Sequence, residues 1–202
     1  AAAVEAWEMA HPTAPPERIA LVVTGHNLNP QTAYQQALLA EKPHHLSPRY
    51  AVEGLDSDHL GTLSALLNLR GEGMMIGAAS ASGTTGILQG VRLLLLNACD
   101  MVVIAGAMTE FSPVETIAFE QLGALAPPGP WPGPLQKHRN GFLYGQGSGC
   151  LILERTQDAL QRGAQIQVVS GIGPEDAVIL QGKDLVREVR VSANPDGRAL
   201  GD

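Results

Sequence analysis

The chain of 202 residues carries a formal charge of −7, with 45% hydrophobic and 16% charged residues. This composition excludes an intrinsically disordered chain and argues against nucleic acid as the main partner. No apolar run reaches the roughly 20 residues of a membrane helix. The opening residues hold Glu5 and Glu8 and lack the basic end of a secretory signal. Cys99 and Cys150 each lie in an apolar run and read as buried thiols rather than a disulfide or metal set. A reducing, cytoplasmic setting is expected.

In chain order, residues 3–9 read as a short helix, ended by His11-Pro12 and Pro15-Pro16. Residues 18–24 (RIALVVT) are a continuous apolar strand of the kind buried on both faces. Pro30 suits the first turn of a helix continuing over 31–40. A polar loop covers 42–50. Ser57 is placed to cap a helix over 58–69 with an apolar stripe of Leu60, Leu63, Leu66 and Leu67. Met74, Met75 and Ile76 read as a short buried strand.

Small residues then crowd both sides of Ser80, in Gly77-Ala78-Ala79-Ser80-Ala81-Ser82-Gly83. Ile87, Leu88, Val91, Leu94, Leu95 and Ala98 recur beyond it at helical spacing. Ser80 is therefore expected on a tight strand-to-helix turn, where unpaired backbone N–H groups carry partial positive charge. Such a turn suits a nucleophile or an oxyanion. Ser82 is read as a helix cap.

Residues 101–107 (MVVIAGA) are a further buried strand. Ser112, Pro113 and Glu115 spell a capping box, opening a helix to about Leu122. Residues 126–134 hold a proline-glycine loop. Asn140-Gly141 is the hairpin signal of the chain, and strands are expected over 142–146 and 150–154. Thr156 caps a short helix stopped by Gly163, and residues 166–170 make a last strand. Gly145, Gly147 and Gly149 precede a strand rather than a helix, so no phosphate loop is expected. The alternation of strands and helices predicts an α/β fold with a largely parallel sheet. Lys137-His138-Arg139 and Arg187/Arg190 are read as solvated.

Several strings together carry a family resemblance. Ala78-Ala79-Ser80-Ala81-Ser82-Gly83 resembles the nucleophile motif of β-ketoacyl synthases, with serine where those enzymes have cysteine. Val103-Ile104-Ala105-Gly106-Ala107, Arg139-Asn140-Gly141-Phe142, Gly145-Gln146-Gly147-Ser148-Gly149, Leu151-Ile152-Leu153-Glu154 and Arg162-Gly163-Ala164 follow in family order. Gly71-Glu72-Gly73, Phe111-Ser112-Pro113-Val114-Glu115 and Gly141-Phe142-Leu143-Tyr144-Gly145-Gln146 look like the serine-containing subgroup found in polyketide β-branching (HMG-synthase) cassettes.

The resemblance implies a thiolase-like layered α/β/α/β/α fold. It makes residues 1–175 similar to the N-terminal half of a ketosynthase, with 176–202 a tail that follows the family poorly. It further implies decarboxylation of malonyl-carrier protein to acetyl-carrier protein at Ser80, whose backbone N–H is the oxyanion donor. No metal or bound cofactor is implied, because the carrier's phosphopantetheine arm brings the substrate. The implied partners are an acyl carrier protein, HMG-synthase-like cassette enzymes, and a second subunit. That subunit is either a homodimer mate, paired around residues 74–78, or a chain bearing the C-terminal half. A non-catalytic, chain-length-factor-like subunit and an ordinary synthase relative are the alternatives. The family's two active-site histidines lie in its second half, and His11, His26, His44, His45, His59 and His138 match neither.

An unassisted serine is a weak nucleophile at neutral pH. Loss of carbon dioxide instead needs donors for the enolate oxygen, and a backbone N–H survives the exchange of sulfur for oxygen. The substitution therefore separates acyl transfer from decarboxylation.

Overall fold

The computed structural model describes residues 1–25, 27–129, 137–138, 140–166, 168–169 and 177–180. The element order is α1 (Ala2–Ala10), β1 (Ile19–Thr24), α2 (Pro30–Leu38), α3 (Tyr50–Glu53), α4 (Asp56–Leu67), β2 (Gly73–Ile76), α5 (Ser82–Leu95) and β3 (Met101–Met108). It continues with α6 (Pro113–Gln121), β4 (Gly147–Arg155), α7 (Thr156–Gln161), β5 (Val168–Val169) and β6 (Ala177–Leu180).

One sheet runs β2-β1-β3-β4-β6-β5. β1 lies parallel to both β2 and β3, whereas β4 joins β3 antiparallel and the β4–β6 and β5–β6 pairs are antiparallel too. The sheet is thus mixed rather than largely parallel. The α/β class holds, and the strands form the layer between two cores.

Period-two alternation sorts the strand residues onto those cores. Ile19, Leu21 and Val23 of β1, Met101 and Val103 of β3 and Ile152 of β4 face α1 and α4, meeting Ala3, Ala6, Ala10 and Leu67. Ala20, Val22, Val102, Ile104 and Leu153 face α5, meeting Leu93 and Leu94. Every residue of β1 is buried, as its continuous apolar run demands.

The expected face of α5 holds in part, with Leu94 buried and Ile87 and Val91 packed against the core. The buried residues of α5 are Ser82, Gly86, Gly90, Leu93 and Leu94, while Leu88 and Leu95 are 46% and 58% exposed and Ala98 lies beyond the helix, also exposed. Glycine carries no hydrophobic signal, yet it admits the closest approach. A Cβ at Gly90 would lie 2.9 Å from Ile104 Cδ1.

Other boundaries shift for local reasons. Helix α4 begins at Asp56 rather than 58, because the Leu55 N–H donates to the Asp58 carboxylate at 2.8 Å and Ser57 lies inside the first turn. Leu66 points away from the core. Asn140-Gly141 joins no pair of strands: Phe142 makes only a bridge to Leu125, and one long β4 replaces the second strand. Gly141 (φ 75°) is needed because a Cβ there would come within 2.6 Å of the Leu125 carbonyl carbon. The strand expected over 166–170 is the short β5, and most of 176–202 lies outside the described residues.

Candidate active site

The carboxyl ends of β1, β2 and β3 lie side by side, with Thr24 in register with Ile76 and with Gly106. Parallel strands carry their loops out at this edge, where open α/β sheets place ligand sites.

The chain leaves β2 at Ile76 and forms a 3-10 turn, Ala79–Ala81, before α5 begins. Ser80 sits on this turn and is exposed. Ala79 has φ 46°, in the left-handed region that L-residues avoid. The turn closes with Ala81 N–H donating to Ala78 C=O at 2.9 Å. The Ser82 hydroxyl accepts from Ala78 N–H at 2.8 Å and donates to Ala79 C=O at 2.7 Å. Ser82 therefore ties the turn from inside the helix instead of capping it, and Ala81 holds the N-cap position without a side-chain bond. Neither the Ser80 hydroxyl nor its N–H makes a hydrogen bond to another described residue.

The neighbouring loops are held firmly. Asn27 N–H and Leu28 N–H donate to the Asp56 carboxylate at 2.6 and 2.8 Å, and Thr109 donates its hydroxyl to Leu28 C=O. The capping box of α6 forms as its residues dictate. Val114 N–H donates to Ser112 Oγ at 3.2 Å, while Ser112 N–H donates to Glu115 Oε2 at 3.0 Å. The Glu115 carboxylate also accepts from Asn27 Nδ2 at 3.2 Å, joining α6 to the β1 loop. Desolvation opposes the ionised form of Glu115, but these bonds, led by that from Ser112, outweigh it and lower its pKa. Behind them Phe111 stacks on Tyr144 with ring centroids 3.8 Å apart.

Of the remaining sequence candidates, His59 is half-buried with Nε2 3.0 Å from Asn29 Nδ2, and His11, His44, His45 and His138 are exposed. His26 and Arg139 lie outside the described residues. Burial raises the thiol of Cys150 to about 12 and that of Cys99 to about 11, so neither is ionised near neutral pH. The bonds of the Ser82 hydroxyl within the turn and the positive φ of Ala79 are not spelled out by the sequence. Their one signal was the density of small residues around the turn.

The family model for the β-ketoacyl synthase N-terminal domain matches residues 1–159. The chain belongs to the β-ketoacyl synthase family. Among curated relatives it is 31% identical over 167 residues to the polyketide biosynthesis malonyl-ACP decarboxylase PksF of Bacillus subtilis (strain 168), covering 79% of this chain and 40% of that protein. It is 30% identical over 158 residues to 3-oxoacyl-[acyl-carrier-protein] synthase 2 of Vibrio cholerae serotype O1, covering 76% of this chain and 36% of that one. The chain thus spans well under half the length of these relatives. Among solved structures, the ishigamide ketosynthase/chain length factor superposes with a TM-score of 0.67 at 24% identity, covering 81% of this chain and 43% of that one. The fold is that of the thiolase-like ketosynthases, in its N-terminal part.

No helix among the described residues is long and apolar enough to cross a membrane.

Proposed function

We propose that this chain is the Ser80-bearing part of a malonyl-carrier-protein decarboxylase that works without an acyl-enzyme. The observation that carries the reading is Ser80: it stands on the turn before α5 with a free N–H and a hydroxyl that no described group activates. The similarity to PksF supports the same substrate class.

The chemistry follows from that geometry. The bond between the carboxylate carbon and the α-carbon of the malonyl group breaks, carbon dioxide leaves, and its bonding pair becomes the enolate of the acetyl thioester. Negative charge gathers on the thioester oxygen, where the Ser80 N–H donates. One such donor is worth about 3–4 kcal/mol of transition-state stabilisation. Water protonates the carbanion carbon, and acetyl-carrier protein results. A thiol at this turn would have a pKa starting near ~8.5 and lowered by the helix N-terminus. The serine hydroxyl stays neutral, so covalent loading is disfavoured while the donor remains.

The carrier's phosphopantetheine arm would deliver the malonyl group, and the acetyl product would pass to an HMG-synthase-like partner for β-branching. A second subunit fits the edge strand β2, whose outer side is unpaired among the described residues, with Leu88 exposed on the adjoining helix. That edge also favours the second reading, a non-catalytic subunit that pairs with a condensing chain.

The test is to incubate malonyl-carrier protein with the chain, alone and joined to the remainder of the relatives' fold, and to follow the carrier by intact mass. Conversion to acetyl-carrier without mass gain on the enzyme supports the decarboxylase. No loss of carbon dioxide in either form favours the pairing subunit.

A further inference from the structure

We propose that Ser82 is a positioning residue that aims the Ser80 N–H, by gripping the other side of the same peptide plane. The inference rests on Ser80 being the oxyanion donor, as proposed above.

The Ala79 C=O and the Ser80 N–H belong to one peptide unit, which is planar and trans, so the two groups point in opposite directions. Ser82 is 6% exposed, and its hydroxyl donates to that C=O at 2.7 Å. Holding the carbonyl toward the buried side turns the N–H outward. The same oxygen accepts from Ala78 N–H at 2.8 Å, so one side chain bonds both the Gly77–Ala78 and the Ala79–Ser80 peptides. Between them lie Ala78 and Ala79, and the φ of 46° at Ala79 is a conformation that alanine leaves when nothing holds it.

The hydroxyl's two bonds therefore bracket the strained residue beside the donor. Relaxation of Ala79 toward negative φ would rotate the peptide and take the N–H off the substrate oxygen. An aliphatic side chain at 82 would keep the main-chain N–H bond to the Ala79 carbonyl but lose both hydroxyl bonds, leaving the turn held at fewer points.

Two measurements test this on the full chain. In the first, turnover of malonyl-carrier protein is compared across variants. Ser82→Ala should lose about 10²-fold in kcat, the size of one lost oxyanion donor, with little change in KM, and Ser82→Thr should recover most of it. In the second, Ser80→Cys supplies a reporter whose alkylation by iodoacetamide, followed at the residue-80 peptide, gives the pH midpoint of the thiol. Adding Ser82→Ala should raise that midpoint by about one pH unit as the aligned N-terminal dipoles are lost, and Ser82→Thr should not.

An unchanged midpoint in the Ser82→Ala background overturns the proposal, as does full kcat in Ser82→Ala. A shifted midpoint without decarboxylation in any variant, the unsubstituted chain included, would retain Ser82 as the holder of the turn and overturn the proposed reaction instead.

Discussion

Thr24 lies directly beneath Gly86: a Cβ added to that glycine would meet Thr24 Cγ2 at 2.2 Å. Thr24 is held in place, buried and with its hydroxyl donating to Ala105 C=O at 3.3 Å. The start of α5 therefore rests on the last residue of β1, and the turn bearing Ser80 takes its height above the sheet from this contact. Alanine at 86 would gain about 1 kcal/mol in helix propensity, but overpacking a fixed β-branched neighbour costs about 1–3 kcal/mol. Gly86→Ala should lower the thermal midpoint by several degrees. Thr24→Ser removes the offending methyl and keeps the hydroxyl, so the double variant should regain stability over Gly86→Ala alone in calorimetry. Additive losses would show that the two residues do not meet.

Removing the hydroxyl of Ser80 leaves its N–H in place. Ser80→Ala is expected to retain decarboxylation within about tenfold, because the proposed oxyanion donor is a backbone group. Ser80→Cys should instead gain a mass adduct when offered an acyl thioester. Intact-protein mass spectrometry and carbon dioxide release read the two outcomes.

Asp100 joins the starts of β1 and β3 to the end of β4. It accepts from Arg18 Nε at 3.0 Å and Nη2 at 2.8 Å and from Arg155 Nη2 at 2.5 Å. The bonds from Arg18, then those from Arg155, outweigh desolvation and hold its pKa at about 2 against an ordinary 3.8. The unfolded chain thus binds this proton more readily than the folded one. The stabilisation is fully present above the unfolded pKa and is lost as pH falls through about 2. Thermal unfolding of Asp100→Asn should show a lower midpoint at neutral pH and a shallower decline in acid than the unsubstituted chain.

Glu154 is buried and faces Arg162, whose Nε donates to its two oxygens at 3.0 and 2.9 Å. Arg162 Nη1 donates to Ala10 C=O and His11 C=O, both at 3.1 Å, which fastens the end of α1 to β4 and α7. Arg162→Leu would strand the carboxylate, at a cost of about 3–5 kcal/mol, or roughly 10 °C in the unfolding midpoint. Glu154→Gln/Arg162→Leu should be less damaging than Arg162→Leu alone, since no buried charge is left unpaired. Denaturant titration distinguishes the two.

Much of this protein was legible in its residues taken in order. A run such as Ile19 to Thr24 has no polar face to offer water, so burial on both sides follows. Ser112, Pro113 and Glu115 satisfy each other's backbone within one helical turn and need no distant partner. The small residues around Ser80 likewise announced a close turn. Folding in three dimensions decided the rest. β4 runs against β3 because its partner is chosen by cross-strand contact, to which a hydrophobicity pattern is blind. The inner face of α5 carries Gly86 and Gly90 ahead of Leu93 and Leu94, because closeness to Thr24 and Ile104 depends on what the sheet presents. Sequence order carries each residue's local preference and its exposure to water. Which atoms finally touch is determined by groups that only the folded chain brings together.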